Sequence, residues 1–305
     1  MSILSLNDII RRSELKHILR EHLRSEGLIE IDVPCLAKNA CPDIAVSPIP
    51  VHVDQQTCFL QPSPEILLKR VLAQHPIDCY TMGPVFREDP AGPIHNPEFL
   101  MLEFYLIGRR YADLKEKTLA ICKLLLGDRS IEIYSYQDIW AHITGVPYSP
   151  DFDYFARLLK NQRVDYREDW DCRTLEDLAF SMICQPHLGI NVFTIIDGFP
   201  PAQAGLARID RGIACRFELF IDGLELANGY DELIAPEQNK YRFEAWNLER
   251  QQQGLINWSL DMHFIDALRY LPECSGVAIG LERLLMLALK KQSLEQSMIF
   301  SWNTL

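Results

Sequence analysis

Residues Phe86–Tyr105 read FREDPAGPIHNPEFLMLEFY, and the passage sets two apolar runs on either side of a Pro/Gly-rich loop. The runs CYTMGPVFR and EFLMLEFYLIG have the length and residue types of antiparallel strands. Side chains alternate faces along a strand. Phe99, Met101, Glu103 and Tyr105 therefore share one face, and Leu100, Leu102 and Phe104 share the other, an ordinary core face. A carboxylate and a phenol on the first face are unusual. If that face is buried, Glu103 needs a partner or a cation; the alternative is a solvated face. Arg87 stands where the first strand ends, a position from which a planar guanidinium can grip a phosphate or simply meet water.

Downstream, RFELFIDGLELANG contains a two-residue hairpin signal, Asp222-Gly223. In that register Phe220 opposes Glu225, and Glu218 and Glu225 are diagonal neighbours on one face. Two such carboxylates repel unless water or a cation separates them. Oxygen ligands suit Mg²⁺, which takes one or two protein carboxylates; both readings stay open on this stretch alone. Arg283, in the first turn of LERLLMLALKK, is unfavourably placed for the helix dipole, so either a nearby anion or Glu282 is expected to meet it.

The remaining segments give an α+β order. Spacing predicts a helix over 8–26 with Gly27 as its stop. LIEIDVPCL reads as a short strand halted by Pro34. SPEILLKRVLAQ starts a helix with Ser63 as N-cap, Pro64 at the first position and Glu65 in the first turn. Residues 112–126 and 136–186 read as mostly helical, 237–253 as a polar helix, and CSGVAIG as a small-residue strand.

Composition narrows the function classes. The 305 residues are 48% hydrophobic and 24% charged, enough for a sizeable core. A formal net charge of −12 argues against a surface devoted to nucleic acid. No apolar run is long enough for a membrane span, and the start has no signal-like apolar core. Nine cysteines without any C-x-x-C read as reduced thiols of a cytoplasmic protein, Cys35 and Cys41 included.

GLIEIDVPCL, FRED…HNPEFLMLEFY and GVAIGLERLLMLAL resemble motifs 1, 2 and 3 of class II aminoacyl-tRNA synthetases, in that order. SPEILLKRVL and ELANGYDEL are similar to the lysyl branch. The absence of room for an anticodon-binding barrel, with CSGVAIG and PPAQAGLAR, resembles the stand-alone lysyl-synthetase paralogues that modify elongation factor P. The resemblance implies one catalytic domain over 1–305, a mostly antiparallel mixed sheet flanked by helices, a helical insertion at about 112–186, and a homodimer built on motif 1. It implies ATP and Mg²⁺, with lysine or (R)-β-lysine activated as an adenylate and passed to elongation factor P rather than to tRNA. A minimal tRNA-charging enzyme and a catalytically inactive regulatory paralogue are the competing readings. The net charge and missing barrel oppose the first, and retention of Arg87, Glu225, Asn228, Glu232 and Arg283 opposes the second.

By that resemblance Arg87 and Arg283 are catalytic, holding phosphate oxygens, and Phe99 and Arg283 enclose the adenine. Glu88, Asp89, His95, Asn96, Glu225, Leu226, Asn228 and Gly280 complete the ATP site. Glu218 and Glu225 bind Mg²⁺. Ser63, Pro64, Glu65, Glu103, Tyr105, Glu232 and Ala278 line the amino-acid pocket, with Glu65 towards the amine near the carboxylate and Glu103, Tyr105 and Glu232 towards the distal amine. Two departures stand out. Arg87-Glu88-Asp89 has an acid one methylene shorter than the family's Arg-x-Glu, in a loop stiffened by Pro90 and Pro93. Ala278 replaces the middle glycine of Gly-x-Gly-x-Gly, a methyl group that can reshape the pocket by roughly 1–3 kcal/mol of discrimination.

Overall fold

The two runs flanking the loop pair antiparallel throughout, from Cys79 opposite Tyr105 to Phe86 opposite Glu98. The strands are Cys79–Phe86 and Glu98–Ile107. In the computed structural model, which describes residues 4–305, the chain divides into two compact units. One comprises residues up to Gly127, Gly205–Arg208 and Gly229–Leu305, and the other Asp128–Ala204 and Ile209–Asn228.

In the first unit, Glu98–Ile107 pairs on its other edge with Cys274–Gly280, antiparallel, and Ile29–Glu30 runs parallel to Cys79–Phe86. Only Ile29–Glu30 of LIEIDVPCL joins this ladder. After Pro34, which has no N–H to offer, Leu36–Ala37 pairs instead in a small antiparallel sheet with Gln56–Leu60 and Ile49–Val53. Helix Leu6–Ser25 is capped by Ser5, whose hydroxyl accepts the Asp8 N–H, and ends before Gly27 at φ 85°. Helix Glu65–Gln74 begins one residue later than the sequence suggests: Pro64 is the N-cap. Ser63 Oγ still accepts the Glu65 N–H at 3.0 Å, so it serves the helix from one residue further out. Leu68 and Leu72 of this helix pack with Tyr105, Phe243 and Phe264, all buried. Burying each such side chain contributes roughly 1.5–3 kcal/mol. Helices Tyr111–Leu126, Pro236–Gln252 and Leu281–Ala288 complete the main elements of this unit.

In the second unit, Phe193–Phe199 pairs parallel with Ile131–Ser135 and antiparallel with Ile213–Ile221. Strand Leu224–Asp231 follows the latter across Asp222 (φ 51°) and Gly223 (φ 76°), the paired positive φ values that a two-residue hairpin turn requires. Helices Tyr136–Thr144, Phe152–Asn161 and Cys172–Ala179 each start on a side-chain cap, from Ser135, Asp151 and Asp171. Their apolar faces enclose an aromatic core in which Trp140 lies within 5.4–6.2 Å of Phe155, Phe180, Tyr148, Tyr154 and Tyr136. Glu176 enters that core and accepts the hydroxyls of Tyr136 (3.0 Å) and Tyr148 (2.7 Å). The helical expectation for 136–186 holds, while strand Ile131–Ser135 interrupts the predicted insertion at about 112–186. Among the described residues, no helix is long and apolar enough to cross a membrane.

Candidate active site

The polar face of strand Glu98–Ile107 is buried, so the solvated alternative for Glu103 is excluded. Glu103 is 2% exposed. Its Oε1 accepts the Tyr105 hydroxyl at 2.7 Å, and its Oε2 accepts Ser63 Oγ at 2.8 Å. Beside it stands a cation that the sequence reading missed. Lys69, 1% exposed, places Nζ 2.6 Å from Glu65 Oε1 and 2.5 Å from Glu232 Oε2. Both are ion pairs within hydrogen-bonding distance. The available signal was the i, i+4 spacing of Glu65 and Lys69 on one helix face. Ala278 lies opposite Glu103 in the ladder, and Gly276 lies opposite Tyr105. Hydrogen bonds thus link Ser63, Glu103 and Tyr105, Lys69 links Glu65 and Glu232, and Ala278 is opposite Glu103 in the ladder; Pro64 is buried at the helix start.

The loop between the two strands gathers the second group, in the same unit. Arg87 is fixed by its backbone N–H to Pro97 O at 2.9 Å, with its guanidinium 5.2 Å from the Phe99 ring centroid. Phe99 faces Val85 across the ladder and is half-buried. Arg283 reaches the loop from helix Leu281–Ala288: its Nε donates to Ile94 O at 3.2 Å and its Nη2 lies 3.0 Å from His95 Nε2. Glu282 pairs with Arg12 at 2.6 Å. Asn96 is committed to structure, its Nδ2 donating to Glu98 O (2.6 Å) and its Oδ1 accepting the Trp302 N–H (2.9 Å). Glu88 is exposed, with its backbone N–H on Ser47 O, and Asp89 is half-buried. Gly280 occupies the N-cap of helix Leu281–Ala288.

In the second unit, Glu218 and Glu225 line one pocket of about 140 Å³ with Arg216, Arg173, Asp177 and an aromatic floor of Tyr136, Phe180, Phe199 and Phe220. Glu218 pairs with Arg216 and accepts Asn228 Nδ2 at 3.3 Å, both at Oε1. Arg216 lies 4.5 Å from the Phe199 ring centroid and also donates to Gln203 O. Burial first, opposed by Arg216 and reinforced by Glu225, raises the Glu218 carboxyl to about 7. Two carboxylates facing one pocket, one of them strained by burial and by the other's charge, fit a hard divalent cation. Among the described residues no group of three His, Cys, Asp or Glu side chains is set to hold a metal, so such an ion would need further oxygen ligands. Leu226 is buried beside Glu225 in the chain.

Strand Ile29–Glu30 lies in the first sequence motif, the arginine-bearing loop between two antiparallel strands is the second, and the closing strand and helix that supply Arg283 are the third. The family model described as tRNA synthetases class II (D, K and N) matches residues 5–304. The chain belongs to this family. Among curated proteins, it is similar to the elongation factor P–(R)-β-lysine ligases of Yersinia enterocolitica, 34% identical over 308 residues (96% of this chain, 94% of the relative), and Vibrio cholerae, 34% over 315 residues (98% and 97%). The ligase of that name from Salmonella paratyphi B is 34% identical over 312 residues (97% and 95%).

Within this class II synthetase, the cluster of buried carboxyls around Lys69 is electrostatically loaded. Burial first, then the charge of Glu65, pushes Glu103 up to about 7 against the hydrogen bonds from Tyr105 and Ser63 and the pull of Lys69. Burial raises Glu232 to about 8, opposed by Lys69. Burial also works against the Lys69 charge, but Glu232 and Glu65 outweigh it and hold the ammonium above its ordinary range. Three carboxylates around one internal ammonium leave two negative charges without a cation when all are ionised.

Proposed function

We propose that this synthetase-family protein activates lysine or (R)-β-lysine with ATP and transfers the aminoacyl group to the ε-amine of a lysine on elongation factor P. The observation that carries the reading is the buried cluster of Glu65, Glu103 and Glu232 with Lys69. Its three carboxyls outnumber its one ammonium, which suits a ligand that brings ammonium groups of its own. The similarity to ligases named for elongation factor P and (R)-β-lysine supports the choice of acceptor and amino acid.

In the first step the substrate carboxylate attacks the α-phosphorus of ATP in line. A carbonyl C–O–P link forms, the Pα–O–Pβ bond breaks, and pyrophosphate leaves. No general base is needed, because the carboxylate is already ionised. Arg87 takes charge on the α-phosphate oxygens from a guanidinium that rests 5.2 Å from the Phe99 ring centroid. Phe99 offers a ring face to the adenine. Arg283, already tied to the loop at Ile94 and His95, holds that loop to the closing helix and supplies a second cation. Glu218 and Glu225 would hold Mg²⁺, which when bound neutralises phosphate charge. In the second step a neutral lysine ε-amine attacks the aminoacyl carbonyl; the C–N bond forms, the C–O bond to phosphate breaks, AMP leaves, and the attacking nitrogen gives up one proton to water.

The test is ATP–pyrophosphate exchange with each lysine isomer, followed by labelling of elongation factor P and of tRNA. Exchange with lysine or β-lysine and label on elongation factor P alone are expected. No exchange with any isomer removes the proposal, and label on tRNA replaces it with a tRNA-charging enzyme.

A further inference from the structure

Gly276 sits in the middle of strand Cys274–Gly280, buried, and directly opposite Tyr105 in the ladder. A Cβ built there would lie 2.3 Å from Tyr105 Cε1, 2.6 Å from Tyr105 Cδ1 and 2.5 Å from Glu232 Oε1. The ring of one pocket residue and the carboxylate of another therefore rest on the bare Cα of a third. Neither has anywhere to retreat. Tyr105 is 2% exposed and packed against Leu68, Leu72 and Phe243, and Glu232 is held by Lys69. Displacing the ring by about an ångström, the least that restores van der Waals contact, breaks the 2.7 Å hydrogen bond from Tyr105 to Glu103. The next residue on the same face, Ala278, is opposite Glu103 and carries a methyl group without such overlap. The requirement for no side chain is thus local to 276.

We propose that Gly276 is a positioning residue for amino-acid binding: its missing side chain leaves the space that Tyr105 and Glu232 occupy and so keeps both aimed at the ligand's ammonium groups. The inference rests on the amino-acid-activating reading given above. Its physical content is that of a wall residue, since a single methyl group at a close-packed site shifts rigid neighbours instead of being absorbed.

The experiment is a double-mutant cycle of Gly276→Ala and Tyr105→Leu in the full-length protein. It is read by pyrophosphate exchange with KM determined separately for lysine, (R)-β-lysine and ATP. Gly276→Ala is expected to raise the KM of the preferred lysine isomer by at least 30-fold and to leave the KM for ATP within twofold. In the Tyr105→Leu background the ring is gone and only the overlap with Glu232 remains, so the same substitution is expected to raise the amino-acid KM by a smaller factor, no more than about 10-fold. Equal factors in the two backgrounds, or parallel increases for amino acid and ATP, overturn the proposal. If Gly276→Ala alone does not fold, recovery of a cooperative thermal transition in the double variant supports the ring overlap, and its continued absence overturns it. Wild-type protein that exchanges no pyrophosphate with any isomer fails the functional reading itself, an outcome distinct from a flat cycle.

Discussion

At the scale of single residues, the pocket carboxyls make the chemistry dependent on pH. Glu103 and Glu232 titrate near 7 and 8 because burial disfavours their charge. Below that range both hold protons and an incoming ammonium finds neutral acids. The KM for the amino acid is therefore expected to fall as pH rises from 6 to 8.5, while the KM for ATP does not follow the same curve. The sign for stability is opposite. Unfolded carboxyls titrate near the ordinary 4.5, so the folded state holds these protons more tightly, and stability from this source is lost as pH climbs through 7 to 8. Ligand-free protein should accordingly melt lower at pH 8.5 than at pH 6, and the gain in melting temperature on adding the amino acid should be larger at pH 8.5. Glu103→Gln removes the charge while keeping the side-chain volume. It should raise the amino-acid KM by about 100-fold, roughly the value of one charge-assisted contact.

At the scale of elements, helix Glu65–Gln74 and the loop after Phe86 carry the site. Glu65 and Lys69 stand one turn apart on the same helix face, and Lys69 is enclosed by acids from the helix and from Glu232. Lys69→Met leaves a buried carboxylate without its cation and should destabilise the protein by about 3–5 kcal/mol, read as a lower denaturant midpoint at unchanged slope. In the loop, Arg87→Ala should abolish pyrophosphate exchange. Asp89→Glu should leave exchange intact or tighten ATP. A strong loss from Asp89→Glu instead means the loop is built around the shorter acid. The sequence located these elements because strand alternation and turn residues are local properties. It misplaced the helix start by one residue, since Ser63 both caps the Glu65 N–H and reaches Glu103, a tertiary contact that no local pattern records.

At the scale of the whole molecule, the first and last helices of the first unit are joined by the buried pair Arg12–Glu282, with Arg12 also donating to Ser297 O at 3.2 Å. Glu282→Ala should cost about 3–5 kcal/mol by leaving Arg12 buried and uncompensated. Because Arg283 is the neighbouring residue and contacts the loop at Ile94 and His95, the same variant should also raise the KM for ATP. Thermal melts and exchange kinetics on one preparation check both effects. The homodimer implied by motif 1 is an expectation for light scattering, which should return the mass of two chains.

What the sequence determined by itself was the alternation that puts Glu103 and Tyr105 on one strand face, the hairpin that sets Glu218 beside Glu225, and the motif order of the family. These depend on neighbours in the chain, where backbone geometry has few choices. Only the tertiary structure decided that the Glu103 face is buried and that Lys69 supplies an internal cation to Glu65 and Glu232. It alone sent Glu282 to Arg12 while Arg283 turned to the loop. It also decided that Gly276 lies beneath Tyr105. Each is a contact between segments far apart in the chain, set by strand register and packing, which a linear pattern does not contain.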